Sequence, residues 1–145
     1  MPKWTVFADG ASRGNPGAAS IGAVVYDEKG NEVASVSRTI GRATNNEAEY
    51  QAAIAGLESA LELGGGGLDL RMDSELIIRQ LQGRYKVRNA RLAPFYQRLV
   101  QLLTQFNPVT FDHVPRARNA RADELANLAL DRAAEADPSR GNPLR

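Results

Sequence analysis

The chain has no cysteine, which excludes a disulfide framework, a thiolate zinc site and a cysteine nucleophile, and fits a reducing compartment. It has one histidine, His113, so no multi-histidine metal site can be assembled within a single chain. Nowhere do the roughly eighteen consecutive apolar residues of a membrane span occur. Met1-Pro2-Lys3-Trp4-Thr5-Val6 lacks the apolar run of a signal peptide, so a cytoplasmic location and no membrane partner are expected. Acidic residues are missing from one segment: residues 76–111 carry six basic side chains (Arg79, Arg84, Lys86, Arg88, Arg91 and Arg98) and no Asp or Glu. An even spread would place about four acids there. The net charge of +1 hides this segregation, because residues 1–75 hold 6 basic against 11 acidic side chains. The pattern suggests a polyanion-binding surface beside a carboxylate site, the plainer alternative being a solvated helical face. What remains is ordinary: 145 residues, 43% hydrophobic and 24% charged, make one globular domain with room for one core.

Periodicity places the acids. Trp4 to Ala8 reads as a strand with Asp9 at its end, followed by a turn-rich stretch over residues 10–17. Residues 21–26 and 33–40 read as two strands joined by a hairpin loop. From Asn45 to Leu63 the apolar period becomes helical, with Thr44 or Asn45 as N-cap and Glu49 near the start. Leu68 to Met72 alternates as a fourth strand and delivers Asp73 at its end. Residues 74–82 read as a short helix, 83–91 as a basic loop, 92–106 as a helix, 109–114 as a fifth strand and 119–134 as a last helix. The expected architecture is mixed α/β, a five-stranded mixed sheet with helices on both faces, over residues 1–135; residues 136–145 are expected to form a disordered tail.

Adjacent strands lie under about 5 Å apart, so Asp9 and Asp73 can share a metal ion if their strands are neighbours, with helix-borne Glu49 and Asp123 completing the group. Without a cation, four such carboxylates would repel or take up protons. Oxygen donors alone select a hard ion, Mg²⁺ or Mn²⁺, and two such ions suit displacement at phosphorus. Each Asp taken singly also fits a turn-former, a cap or a surface helix position.

Four segments in order carry a family resemblance: Phe7-Ala8-Asp9-Gly10-Ala11-Ser12 with Asn15-Pro16-Gly17; Thr44-Asn45-Asn46-Glu47-Ala48-Glu49-Tyr50; Met72-Asp73-Ser74-Glu75; and His113-Val114-Pro115-Arg116 with Asn119 through Ala126. The chain resembles ribonuclease H of type 1 over residues 4–134. The resemblance implies the ribonuclease H-like fold, two-metal hydrolysis of the RNA strand of RNA–DNA hybrids, and a monomer. It implies that Asp9, Glu49, Asp73 and Asp123 hold the ions, Mg²⁺ with Mn²⁺ as substitute. Glu47 is read instead as a helix-start acid placed for the helix dipole. Gly10, Ala11, Ser12, Asn15, Thr44, Asn45, Asn46 and Glu75 are implied on the hybrid, with Arg84, Lys86 and Arg88 on DNA phosphates.

The chain departs from the family pattern in three places. Glu75 stands where a Gln is common. The mobile His of many members has no clear counterpart, since His113 falls at a strand end and is read as structural; Arg116, Arg118 or Asn119 are the auxiliary candidates in that loop. The basic handle is reduced to residues 84–91, as in handle-less bacterial and archaeal members. Trp4 is read as core. Double-stranded RNA is a second candidate partner. The competing readings are another nuclease on the same sheet and a non-cutting hybrid or double-stranded RNA binding module.

Overall fold

The computed structural model describes residues 2–136. In chain order it comprises β1 (Lys3–Gly14), β2 (Gly17–Tyr26), β3 (Glu32–Ala43), α1 (Asn45–Glu62), β4 (Gly66–Met72), α2 (Glu75–Leu81), α3 (Ala93–Leu103), β5 (Phe106–His113), a 3₁₀ turn (Arg116–Asn119) and α4 (Ala120–Ala136). The five strands form one mixed sheet in the order β3-β2-β1-β4-β5. The β1–β2 and β2–β3 pairs are antiparallel; β1–β4 and β4–β5 are parallel.

Alternation along the strands decides which helix lies where. Val6 and Ala8 of β1 and Ile21, Ala23 and Val25 of β2 are fully buried, in one cluster with Tyr50, Ala53 and Leu57 of α1. Gly56 of α1 is seated so close to this face that a methyl group there would meet Val6 at 2.6 Å and Ala23 at 3.4 Å. Gly22, one residue before Ala23, points the opposite way. A methyl group at Gly22 would strike the Ala122 carbonyl oxygen at 2.1 Å, so α4 covers the other face. Helices on both faces are therefore present as expected. Trp4 is buried in the core, its indole N–H donating to the Gly65 carbonyl at 2.6 Å.

Three sequence-based expectations are corrected. Asp9 does not end its strand: β1 continues to Gly14, with Asp9 opposite Gly22, Ser12 opposite Ala19 and Gly14 opposite Gly17. Of residues 10–14, predicted as part of a loop, Gly10 lies against the backbone of α1. The turn itself is confined to Asn15-Pro16. The helix predicted over 92–106 stops at Leu103, and β5 starts earlier because Phe106 is buried and pairs with Gly66. The last helix runs to Ala136, and the tail expected beyond it lies outside the described residues.

Candidate active site

Asp9 and Asp73 meet through the register of the parallel pair. Thr5 lies opposite Asp69 and Phe7 opposite Arg71. Two residues further along each strand, alternation brings Asp9 and Asp73 to the same face. The β1–β4 pairing ends at Phe7 and Arg71, and Asn119 occupies the gap beyond it. Its buried amide donates to the Ala8 carbonyl at 2.9 Å and to Asp73 Oδ1 at 2.7 Å. These bonds satisfy the amide nitrogen and hold the Asp73 carboxylate beside β1, while the buried Asn119 Oδ1 has no hydrogen-bond partner among the described residues.

Glu49 arrives from α1. The helix starts in a capping box: Thr44 Oγ1 accepts from the Glu47 N–H at 3.1 Å, and Glu47 Oε1 accepts from the Thr44 N–H at 3.0 Å. Such a cap contributes about 1 kcal/mol and sets where the helix begins. Glu47 is thereby occupied, as read from its place in the first turn. Two residues on, Glu49 turns toward the sheet, and Gly10 lets it come close. A methyl group at Gly10 would lie 2.3 Å from the Ala48 carbonyl carbon and 2.4 Å from the Glu49 nitrogen, so only glycine allows strand and helix backbones to touch here.

One carboxylate oxygen from each of Asp9, Glu49 and Asp73 lies within 4.8 Å of the others. Asp123, near the start of α4, lines the same cleft but stands outside this tight group. Its Oδ1 is 3.2 Å from the Asn127 amide and 3.9 Å from the Arg116 guanidinium. The cleft, of about 400 Å³, is also lined by Gly10, Ala11, Ser12 and Asn45.

The cluster is electrostatically unsatisfied. Burial is the main cause pushing the Asp9 carboxyl up to about 7, with the Asp73 and Asp123 charges adding to it and a hydrogen bond with Glu49 opposing. Burial, and then the Asp9 charge, raise Glu49 well above the ordinary carboxylate range. Glu49 Oε2 is buried with no hydrogen-bond partner. An all-oxygen donor set with an orphaned buried oxygen and displaced protons fits a hard divalent cation.

A second concavity of about 400 Å³ adjoins the first through Asn45 and is lined by Asn15, Thr44, Asn45, Asn46, Glu47, Asn89, Arg91 and Leu92. The Asn45 N–H donates to Asn15 Oδ1 at 3.1 Å, tying the β1–β2 turn to the start of α1. Ser12 spends its hydroxyl on the Ala43 carbonyl at 2.9 Å, so it offers the cleft mainly backbone. Arg84, Lys86 and Arg88 are exposed on the segment linking α2 to α3, which contains no inserted helix. Glu75 is exposed at the start of α2, 3.8 Å from Arg79. Arg118 is not among the residues lining the cleft; it lies with Phe7, Tyr26 and Arg121 at a different hollow. His113 is exposed at the end of β5, opposite Met72.

Sequence reasoning missed Asn127 and Asn89, and read Arg91 only as one of the basic residues of the segment 76–111. Asn127 stands four residues after Asp123, a spacing that shares one helix face and could have exposed it. Asn89 carried no local signal, and the place of Arg91 was hidden because only the fold brings the end of the basic loop to Glu47, where Arg91 pairs with its carboxylate at 3.5 Å.

A family model described as reverse transcriptase-like matches residues 7–129. Ribonuclease HI of Halobacterium salinarum is 50% identical over 125 residues, 86% of this chain and 63% of that protein. The crystal structure of ribonuclease H1 from that archaeon superimposes with a TM-score of 0.87 at 48% identity, covering 90% of this chain and 98% of the other. The chain belongs to the type 1 ribonuclease H family. A further member, LC11-RNase H1, solved in complex with an RNA/DNA hybrid, superimposes with a TM-score of 0.85 at 44% identity over 90% of this chain and 98% of its own. A bifunctional protein of Mycobacterium tuberculosis is 44% identical over 144 residues, 99% of this chain. The chain spans 40% of the length of that ribonuclease H relative. The four acids sit in β1, just past the end of the adjacent parallel strand β4, and in α1 and α4. No helix among the described residues is long and apolar enough to cross a membrane.

Proposed function

We propose that the protein is a divalent-metal-dependent endoribonuclease that hydrolyses the RNA strand of RNA–DNA hybrids, leaving 3′-hydroxyl and 5′-phosphate ends. The observation that carries this reading is the convergence of Asp9, Glu49 and Asp73 within 4.8 Å in a cleft also lined by Asp123, Arg116 and the small and polar residues Gly10, Ala11, Ser12 and Asn45. Asp9, Glu49, Asp73 and Asp123 hold the metal, Mg²⁺ in the cell with Mn²⁺ as substitute. When bound, two such ions activate water and stabilise the leaving oxygen of an in-line displacement at phosphorus.

The chain's own groups do the rest. Burial raises the Asp9 and Glu49 carboxyls, and their charged forms are favoured beside a bound divalent cation. Asn119 keeps Asp73 beside β1, and Asn127 donates to Asp123 Oδ1 and orients that carboxylate in the same cleft. Arg116, 3.9 Å from Asp123, balances negative charge as phosphate enters and leaves, which a guanidinium can do but general-base chemistry near pH 7 it cannot.

The backbone of Gly10, Ala11 and Ser12, with Asn15, Thr44, Asn45 and Asn46, lies where an RNA strand can be read through 2′-hydroxyls and phosphates. Glu75 stands near the third acid, where its added negative charge weakens the hybrid contact that a Gln would make. Arg84, Lys86 and Arg88 take the phosphates of the DNA strand, joined by Asn89 and Arg91. A monomer working in the cytoplasm is part of the proposal.

The test is a gel assay of an end-labelled hybrid, an RNA duplex and a DNA duplex, each with Mg²⁺, with Mn²⁺ and with chelator. Cleavage of the hybrid's RNA strand, lost with chelator and absent on the DNA duplex, is expected. The RNA duplex lane decides whether double-stranded RNA is also a substrate. Hybrid binding without cutting in any lane would replace the proposal with a binding module.

A further inference from the structure

The segment between α2 and α3 carries three of the basic side chains assigned above to phosphates, yet it has almost no regular structure of its own. At its start the Arg84 and Tyr85 N–H groups donate to the Arg79 carbonyl at 2.9 and 3.3 Å. At its end the Leu92 N–H donates to the Asn89 carbonyl at 3.1 Å. Between them Val87 packs against the core, and the Lys86 carbonyl accepts a long hydrogen bond, 3.5 Å, from Gln80 Nε2.

Gln80 is unusual where it stands. It lies on the inner face of α2 with Ile77 and Ile78, only 4% exposed, at a position where an aliphatic residue would bury at no polar cost. Its other end is satisfied: the hydroxyl of Tyr50, fully buried in α1, donates to Gln80 Oε1. Tyr50 directly follows Glu49. A buried polar chain thus runs from the helix that carries a catalytic carboxylate, through Gln80, to the backbone of Lys86. An apolar pair of equal volume would hold α1 and α2 together as well, so what the polar pair adds is a fixed point on the loop.

Resting on the hybrid-cleaving function above, we propose that Gln80, oriented by Tyr50, is a positioning residue that registers the basic loop against the active-site helix and so sets substrate affinity without touching substrate. The loop without this anchor keeps its charges but loses their placement, and each phosphate contact then has to order the chain that makes it.

Gln80→Met preserves volume and removes both bonds; Tyr50→Phe removes only the orienting hydroxyl. For Gln80→Met, KM for the hybrid is expected to rise about 3–10-fold with kcat within about twofold, and the slope of log affinity against log salt to flatten by about one phosphate contact. Tyr50→Phe should act in the same direction and more weakly. Amide exchange at Lys86, Val87 and Arg88 should quicken in both. In a background with Arg84, Lys86 and Arg88 all replaced by Ala, Gln80→Met should leave KM unchanged. A parent protein that neither cuts nor binds hybrid would remove the underlying function. An active parent whose folded variants show unchanged KM and salt slope, or a fall in kcat alone, would overturn the role of Gln80. Should Gln80→Met fail to fold, Tyr50→Phe decides by the same measurements.

Discussion

Without metal, the acid cluster is a source of instability that grows as the pH rises. The Asp9 carboxyl has an ordinary value of 3.8 and stands at about 7 in the folded protein, chiefly through burial. Below about pH 4 both folded and unfolded chains hold the proton and the group contributes nothing. As the pH climbs toward 7 the unfolded chain releases the proton while the folded one retains it, so stability falls through this window and levels off above it. Three pH units at about 1.4 kcal/mol each set an upper limit of about 4 kcal/mol, and Glu49, displaced in the same direction, deepens the slope. Asp9→Asn keeps the shape, removes the charge and supplies an amide that can donate to Glu49 or Asp73. In chelator at pH 8 the variant should therefore exceed the parent by about 2–4 kcal/mol, a rise of about 5–15 °C in Tm for a domain of this size. At pH 4 the two should nearly coincide. Saturating Mg²⁺ should raise the parent's Tm at pH 8 and leave the variant's almost unmoved, while hybrid cleavage by the variant falls by several orders of magnitude. Thermal unfolding followed by circular dichroism across pH 4–8, with chelator and with Mg²⁺, measures all of this. A parent whose metal-free Tm does not fall relative to the variant's over that range would refute the electrostatic account of the site.

Other consequences can be measured independently. Gly22→Ala forces a methyl group against the Ala122 carbonyl oxygen, 2.1 Å away, and should cost at least about 1–3 kcal/mol by denaturant titration while pushing back the helix that carries Asp123; an unchanged midpoint would contradict the close approach of α4. Replacing Arg84, Lys86 and Arg88 together by Ala should weaken hybrid binding and lower its salt slope by about two to three, and equal affinity at every salt concentration would return that loop to a solvated surface. Asn119→Ala removes the two bonds holding Asp73 beside β1 and should reduce kcat about 10-fold or more with a stability loss of about 1–3 kcal/mol; full activity at normal Mg²⁺ would show Asp73 to be held by something else. His113→Ala should leave turnover within about twofold, since its exposed side chain lies at a strand end.

Much of the fold was legible along the chain, because amphipathic periods and caps are local. The N-cap at Thr44, the start of α1, the end of β4 at Met72 and the burial of Trp4 follow from side-chain chemistry within a few residues. The misreadings share a cause. Gly10, Ala11, Ser12 and Gly14 have turn-like composition, yet they lie in a strand, and at Gly10 the small residue serves the close approach of α1 rather than a turn. Arg118 and Asn119 are neighbours in sequence, but the 3₁₀ turn directs the buried amide of one at Asp73 and leaves the other beside Phe7 and Tyr26.

The sequence by itself determined the segregation of charge, most of the secondary-structure elements and, through four ordered segments that hold the candidate acids, the family. It did so because hydrophobic period, capping and motif spacing are properties of short windows. The tertiary structure alone decided that three of those acids form a tight group while Asp123 lines the same cleft outside it. It also decided that Asn127 lines that cleft, that Asn89 and Arg91 line the concavity beside it, and that Gln80 bonds both Tyr50 of α1 and the Lys86 carbonyl. Those facts depend on strand register and on how closely two glycines let helices approach, and both are set by contacts between residues far apart in the chain.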